Sequence, residues 1–367
     1  MKIDSVTLQN YRNAETVQFE PGEGVNVIYG ANAQGKTNII EAMWLFTGCK
    51  SFRGARDSEL IRFGADTAKL SLAFTDSSRS HYAELTLGAQ KQAFLNGVAL
   101  ESPAELIGRF YAVIFSPAHL ALIQDGPVFR RRFLDTALCE LRPRYAEFLS
   151  RYRHTLEQRN ALLKDLYLSA ELYDVLDNYD DVLAHCAAAV VYERIGYTRL
   201  LSEYCREIYG GISEGTEDFS VVYSRDTDGD RKPPEELYRE EAERLKAARK
   251  NDVLFKTTTV GPHRDDLDIR LNGVSARSYG SQGQQRSCAL VLKLGESEII
   301  KRATGETPVM LLDDVMSELD EKRQDYVLNH IDNRQVFLTC CDPSQVLRLC
   351  KGQSFLVQNG TLKPEEP

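Results

Sequence analysis

The chain has 367 residues, 43% of them hydrophobic and 27% charged, the balance of an ordinary soluble globular protein of about two domains. Its formal net charge of −9 excludes a global field that would draw it to DNA or anionic lipid, so nucleic-acid contact needs a local basic patch. No stretch approaches the roughly 18 apolar residues of a membrane span, so no membrane partner is expected. Met1-Lys2-Ile3-Asp4 leads into a strand pattern, not a signal peptide. The eight cysteines lack CxxC spacing and sit mostly among apolar residues, as reduced, buried thiols of a cytoplasmic protein would.

Residues 2–9 set Ile3 and Thr7 against Val6 and Leu8, predicting an edge or half-buried strand before a turn at Asn10-Tyr11-Arg12-Asn13. Residues 25–29 read as a short buried strand and 37–46 as a helix. A polar, basic loop covers 50–56. Three β-like segments follow at 68–75, 82–87 and 92–95, the last meeting a hairpin signal at Asn96-Gly97. A strand at 109–116 is closed by Pro117.

At Gly126-Pro127 the composition shifts to a helical region reaching about residue 209. Apolar stripes run through Leu156, Leu162, Leu163 and Leu166, then Leu172, Val175, Leu176, Tyr179 and Leu183, and predict bundle core. Gly210-Gly211 ends this arm, 226–234 is a polar turn region, and 234–250 reads as a charged helix. A β segment at 267–271 meets a turn at Asn272-Gly273. A helix over 281–302, a continuous apolar strand at 308–312, a helix over 320–331 and a strand at 336–339 complete the pattern, with 363–367 expected to be disordered. The whole predicts an α/β fold in which 1–125 and 253–367 form one core and 126–252 is an inserted helical lobe.

Gly30-Ala31-Asn32-Ala33-Gln34-Gly35-Lys36-Thr37 has the GxxxxGK[ST] form of a phosphate-binding loop, placed between a strand and a helix N-terminus. Its glycines let backbone N–H groups turn inward around an anion. Lys36 would meet the β/γ-phosphates, and Thr37 offers a hydroxyl to Mg²⁺. The strand Val309-Met310-Leu311-Leu312 pushes Asp313 out beside that loop, where it could hold Mg²⁺ directly or through water. Asp314 is placed to orient or deprotonate an attacking water. Capping of the next helix is the other use open to this acidic pair. Ser281-Gln282-Gly283-Gln284 opens a helix upstream of it, where ordinary capping is again an alternative.

In that order, and followed by Ser317-Glu318-Leu319-Asp320, the set resembles the ABC-type ATPases: a Walker A loop, an SxGQ signature, a Walker B strand and an SxLD loop. The resemblance implies an ABC-type P-loop ATPase head (lobe I) carrying a helical lobe II. It also implies that Ser281, Gly283 and Gln284 close on the γ-phosphate of a partner subunit, so that ATP holds two chains together. The stretch from Lys36 to Ser281 is too long for a transport ATPase and too short for the long-armed DNA-end ATPases, whose CxxC hook is missing.

Further stretches resemble the bacterial RecF family of recombination mediators. They are Asn10-Tyr11-Arg12-Asn13, the phosphate loop with Asn38, Ile114-Phe115-Ser116-Pro117, Arg131-Arg132-Phe133-Leu134-Asp135, Tyr152-Arg153, Gln158-Arg159-Asn160, Thr259-Val260-Gly261-Pro262-His263-Arg264-Asp265-Asp266, and Leu312-Asp313-Asp314-Val315. They span nearly the whole chain in the family's order. The family implies ATP-dependent dimerisation, binding of gapped DNA at duplex–single-strand junctions, slow DNA-stimulated ATP hydrolysis, and loading of RecA with RecO and RecR. Arg12 and Asn13 would then reach the nucleotide, although a capped surface turn explains them equally well. At the switch position, where ABC enzymes often have His, stands Thr339-Cys340-Cys341, consistent with slow turnover.

For DNA, residues 128–160 concentrate eight arginines against four carboxylates. Arg130, Arg131, Arg132, Arg151 and Arg153 are candidates there, with Arg53 and Arg56 on the basic loop; intramolecular pairing is the competing use of each. The six histidines are scattered, so no metal beyond Mg²⁺ is expected. A transporter ATPase subunit and a DNA-end ATPase are the alternative functions.

Overall fold

A computed structural model describes residues 1–165, 172–225, 232–316, 319–330, 334–344, 347 and 352–365. The chain opens with β1 (Lys2–Tyr11), β2 (Ala14–Phe19) and β3 (Val25–Tyr29), then helix α1 (Lys36–Trp44). Next come β4 (Ala68–Thr75), β5 (Ser80–Leu87), β6 (Gln92–Leu95), β7 (Val98–Ala99), β8 (Ala112–Phe115) and the short α2 (Ala121–Gln124). The helices α3 (Pro127–Leu141), α4 (Pro143–Asp165) and α5 (Leu172–Ile212) follow, then β9 (Phe219–Tyr223), α6 (Pro234–Phe255), β10 (Leu267–Leu271), β11 (Val274–Ser275) and α7 (Ala276–Tyr279). The chain continues with α8 (Gln282–Thr304), β12 (Val309–Leu312), α9 (Glu321–His330), β13 (Val336–Cys340), β14 (Gly352–Gln358) and β15 (Thr361–Glu365).

Two compact units result. The first comprises 1–123, 207–217 and 280–367; the second comprises 124–206 and 218–279. The expected insertion at 126–252 differs from this in two places. Residues 253–279 group with the second unit because β10 pairs with β9, and the last turns of α5 group with the first.

The first unit holds two six-stranded sheets. One is antiparallel, in the order β2-β1-β4-β5-β6-β7, and the other runs β15-β14-β3-β13-β12-β8. In the second sheet all neighbours are parallel except the edge pair β14–β15. β12 and β13 are buried along their whole length, as strands covered on both faces must be. One apolar core joins Ile3, Val6 and Leu8 of β1, Leu70 and Leu72 of β4, Ile39, Ile40 and Met43 of α1, and Ile28, Leu311 and Phe337 of the parallel sheet.

Alternation alone would put Ile3 and Val6 on opposite faces. A bulge between Ile3 and Ser5 adds one residue and brings Ile3, Val6 and Leu8 to the same buried side. The sequence reading also missed β2, β9, β14 and β15. Residues 363–365, expected to be disordered, instead pair in β15, with Phe355 opposite Pro364, a position an edge strand tolerates. Leu166, the polar turn at 226–231 and Ser317-Glu318 lie outside the described residues.

The second unit is built on buried charge. Arg159, fully buried, donates to Asp180 (2.6 Å), Asp252 (2.8 Å) and Thr258 (2.8 Å). Arg194 donates to Asp135 (2.7 Å) and to the Pro262 carbonyl (2.7 Å). No helix among the described residues is long and apolar enough to cross a membrane.

Candidate nucleotide site

β3 delivers the chain to Gly30, whose φ of 145° no ordinary side chain adopts; a Cβ there would meet the Val357 carbonyl at 2.4 Å. Gly35, at φ 113°, caps α1, and a Cβ there would strike the Asn13 amide at 2.7 Å. Between them the loop wraps Lys36, which is 7% exposed. Its ammonium donates to the carbonyls of Gly30 (2.7 Å) and Ala31 (3.0 Å), so it lies inside the loop where an anion would sit. The loop's far side is braced at Gln34. Asn13 donates to the Gln34 carbonyl (2.9 Å), and the Asn359 N–H donates to the Gln34 side chain (2.7 Å). Asn38 in turn donates to Asn13 Oδ1 (2.8 Å).

Two parallel strands away, β12 ends at Asp313. Its carboxylate Oδ1 accepts from the Thr37 hydroxyl at 2.8 Å and from the Thr339 hydroxyl at 2.8 Å. Burial pushes the Asp313 carboxyl above its ordinary value, and the two hydroxyls pull it back. Thr37 and Asp313 thus form a hard-oxygen pair of the kind Mg²⁺ prefers, so the donor set fits that cation. Asp314 is exposed, at φ 52°, and its N–H donates to Thr339 Oγ1 at 2.8 Å.

Arg12 departs from expectation. Its guanidinium forks onto Glu41 of α1 (2.9 and 3.0 Å) and donates to the Glu59 carbonyl (3.1 Å). The reason is Glu41 itself, a fully buried carboxylate that needs cationic partners; Ser51 also donates to it at 2.5 Å, and Arg53 stands 3.8 Å away. Arg12 therefore ties the β1–β2 turn to the helix after the phosphate loop, and Asn13 holds that loop's backbone. Cys341 departs too: it is exposed, with its thiol donating to Asn32 Oδ1 (3.1 Å) and 3.8 Å from Lys36 Nζ. Cys350 lies outside the described residues.

Ser281 caps α8. Its hydroxyl accepts from the Gln284 N–H (3.2 Å), and the Gln284 side chain accepts from the Ser281 N–H (2.7 Å) while donating to Glu217. At Gly283, a Cβ would lie 3.6 Å from Arg323, whose Nε donates to Ser287 (2.6 Å). Ser317 and Glu318 are not among the described residues; Leu319 is buried, and Asp320 accepts from the Arg323 N–H (3.0 Å).

Of the arginines expected on DNA, Arg130 is not available. It is 4% exposed and forked onto Asp266 (2.6 and 2.9 Å), because a buried guanidinium requires a carboxylate. Arg131 is half-buried on the Asp265 carbonyl (2.6 Å). Arg132, Arg151 and Arg153 are exposed in the second unit, Arg153 also reaching Asp135 (2.8 Å). Arg53 and Arg56 are exposed in the first, with Arg53 donating to Asn38 (3.0 Å). Sequence reading missed Glu41 and Ser51 as members of the site, and read Thr339 only as the start of the switch triplet. Asn38, directly after the loop motif, carried the only local signal.

A phosphate loop, an acidic strand end and a capped signature helix on this mixed α/β core define an ABC-type ATPase head of the kind found in SMC proteins. The profile of the RecF/RecN/SMC N terminal domain family matches residues 2–355, and the chain belongs to the bacterial RecF branch of that family. It is 40% identical over 347 residues to the DNA replication and repair protein RecF of Acetivibrio thermocellus, covering 93% of this chain and 94% of that one. To the protein of the same name from Agathobacter rectalis it is 41% identical over 342 residues, covering 93% and 92%. A solved structure of the recombination mediator protein RecF-ATPrS in the RecFOR pathway superposes with a TM-score of 0.92 at 34% identity, covering 99% of this chain and 98% of that one. An SMC head bound to the C-winged helix domain of ScpA shares the fold at a TM-score of 0.57 and 15% identity, covering 100% and 97%.

Proposed function

We propose that this chain is a cytoplasmic, ATP-dependent recombination mediator. It dimerises on ATP, binds gapped DNA at duplex–single-strand junctions, and acts with RecO and RecR to load RecA. The observation that carries the ATP reading is the convergence of Lys36, wrapped by its loop, with Thr37 and Asp313 in direct contact. The backbone of residues 30–37 and the Lys36 ammonium bind the β/γ-phosphates. Thr37 and Asp313 would hold Mg²⁺, whose charge would neutralise that of the phosphates. Asp314, exposed at the strand end, orients the attacking water and takes its proton as the new O–P bond forms and the bond to the β-phosphate oxygen breaks.

Hydrolysis is slow because the switch position offers the Cys341 thiol, not an imidazole, beside Lys36. Within the chain, the polar atoms of Ser281 are satisfied by its own helix turn. By the ABC-type resemblance, the partner subunit's Ser281 closes on the γ-phosphate, and ATP acts as the link between two copies. Sedimentation of wild type and Ser281→Arg with ATP, ADP or no nucleotide tests this. Dimers are expected only for wild type with ATP, while Ser281→Arg still binds nucleotide; ATP-bound wild type that stays monomeric refutes it.

A further inference from the structure

Between the two acidic residues of the site lies one buried hydroxyl. Thr339, 1% exposed, donates from Oγ1 to Asp313 Oδ1 and accepts the Asp314 N–H, both at 2.8 Å. Strand register places it there. Leu312 is paired with Leu338, so the next residue of β13 stands beside the next residue after β12. On its other side Thr339 pairs with Ile28, two residues before Gly30. Asp314 sits at φ 52°, a conformation that a residue with a side chain keeps only when its surroundings hold it, and the bond to Thr339 is one such hold. The same Asp313 oxygen also takes the Thr37 hydroxyl.

We infer that Thr339 is the positioning residue of the acidic pair: when Thr37 turns to the cation that accompanies the triphosphate, Thr339 keeps the Asp313 carboxylate in place and helps fix the turn that presents Asp314. This rests on the nucleotide reading above. The tie needs a group that donates once and accepts once. Valine copies the shape of threonine without either capacity, whereas serine keeps both.

The test measures binding of a fluorescent ATP analogue in EDTA and in Mg²⁺, together with phosphate release, on the full chain. Thr339→Val is expected to bind in EDTA like wild type, but to lose about tenfold of the strengthening that Mg²⁺ gives and at least about tenfold in kcat. Thr339→Ser is expected to stay within about threefold of wild type in both. Serine failing as badly as valine would mean that the methyl packing is what matters, and overturns the inference. So does a valine variant with wild-type Mg²⁺ response and turnover. If wild type binds no analogue in either buffer, the nucleotide reading itself falls. Should valine prevent folding, seen as a lost cooperative melt, Thr339→Ala compared with Thr339→Ser decides by the same criteria.

Discussion

At the scale of single residues, the site depends on charges kept out of water by design. Lys36 → Ala removes the cation that the loop encloses, and ATP affinity should fall at least about tenfold and turnover about a hundredfold, by nucleotide titration and phosphate release. Glu41 plays a different part. It is fully buried and is matched by Arg12 and Ser51. Glu41→Gln leaves the Arg12 fork against a neutral amide, and urea unfolding should show a loss of about 1.5–3 kcal/mol. The residues of the phosphate-loop motif were legible in the sequence because the loop is contiguous in the chain. Glu41 was not, nor was the tie from Thr339 of the switch triplet to the acidic pair, because both are set by partners that the fold brings up from far away; Thr339 lies 26 residues from Asp313, and Arg12 lies 29 from Glu41.

At the scale of elements, the corner at Gly261-Pro262-His263 shows how a turn locks a helical unit. Gly261 has φ 126°, and a Cβ there would meet the Tyr152 hydroxyl at 2.5 Å. That hydroxyl shares a hydrogen bond with His263 Nδ1 (2.5 Å), and His263 Nε2 donates to the Thr258 carbonyl (3.1 Å), an arrangement that the neutral ring satisfies in full. Burial accordingly pulls the His263 pKa below its ordinary value. Above the ordinary histidine pKa neither state holds the proton; below it the unfolded chain takes up a proton that the folded corner resists, so stability falls until the folded pKa is reached. Thermal melts between about pH 7.5 and about pH 5.5 should therefore show a falling midpoint, flattened in His263→Gln. Strand phase was less legible than helix phase. The extra residue in β1 reverses alternation at one point, and β14 and β15 are visible only as partners of β3 and of each other.

At the scale of the whole molecule, the proposed function requires an acidic chain to meet DNA through its exposed cations. Arg132, Arg151 and Arg153 in one unit and Arg53 and Arg56 in the other remain exposed, while Arg130 and Arg159 are committed to internal carboxylates. Composition counted these arginines alike, because burial is a property of the folded chain. With ATP, affinity for gapped DNA should fall steeply with salt, and Arg132→Ala with Arg151→Ala should flatten the log–log slope by about 1–2. A slope near zero in wild type would remove phosphate contacts from the account.

The order β15-β14-β3-β13-β12-β8 also governs how the molecule is made. β3, which launches the phosphate loop, is flanked by β13 and β14, which leave the ribosome some three hundred residues later. Throughout synthesis the nascent loop lacks both its flanking strands and its acidic partner. A chain stopped before β13 cannot assemble the pocket, so on the proposed function competence to engage nucleotide waits until β13 and β14 have emerged.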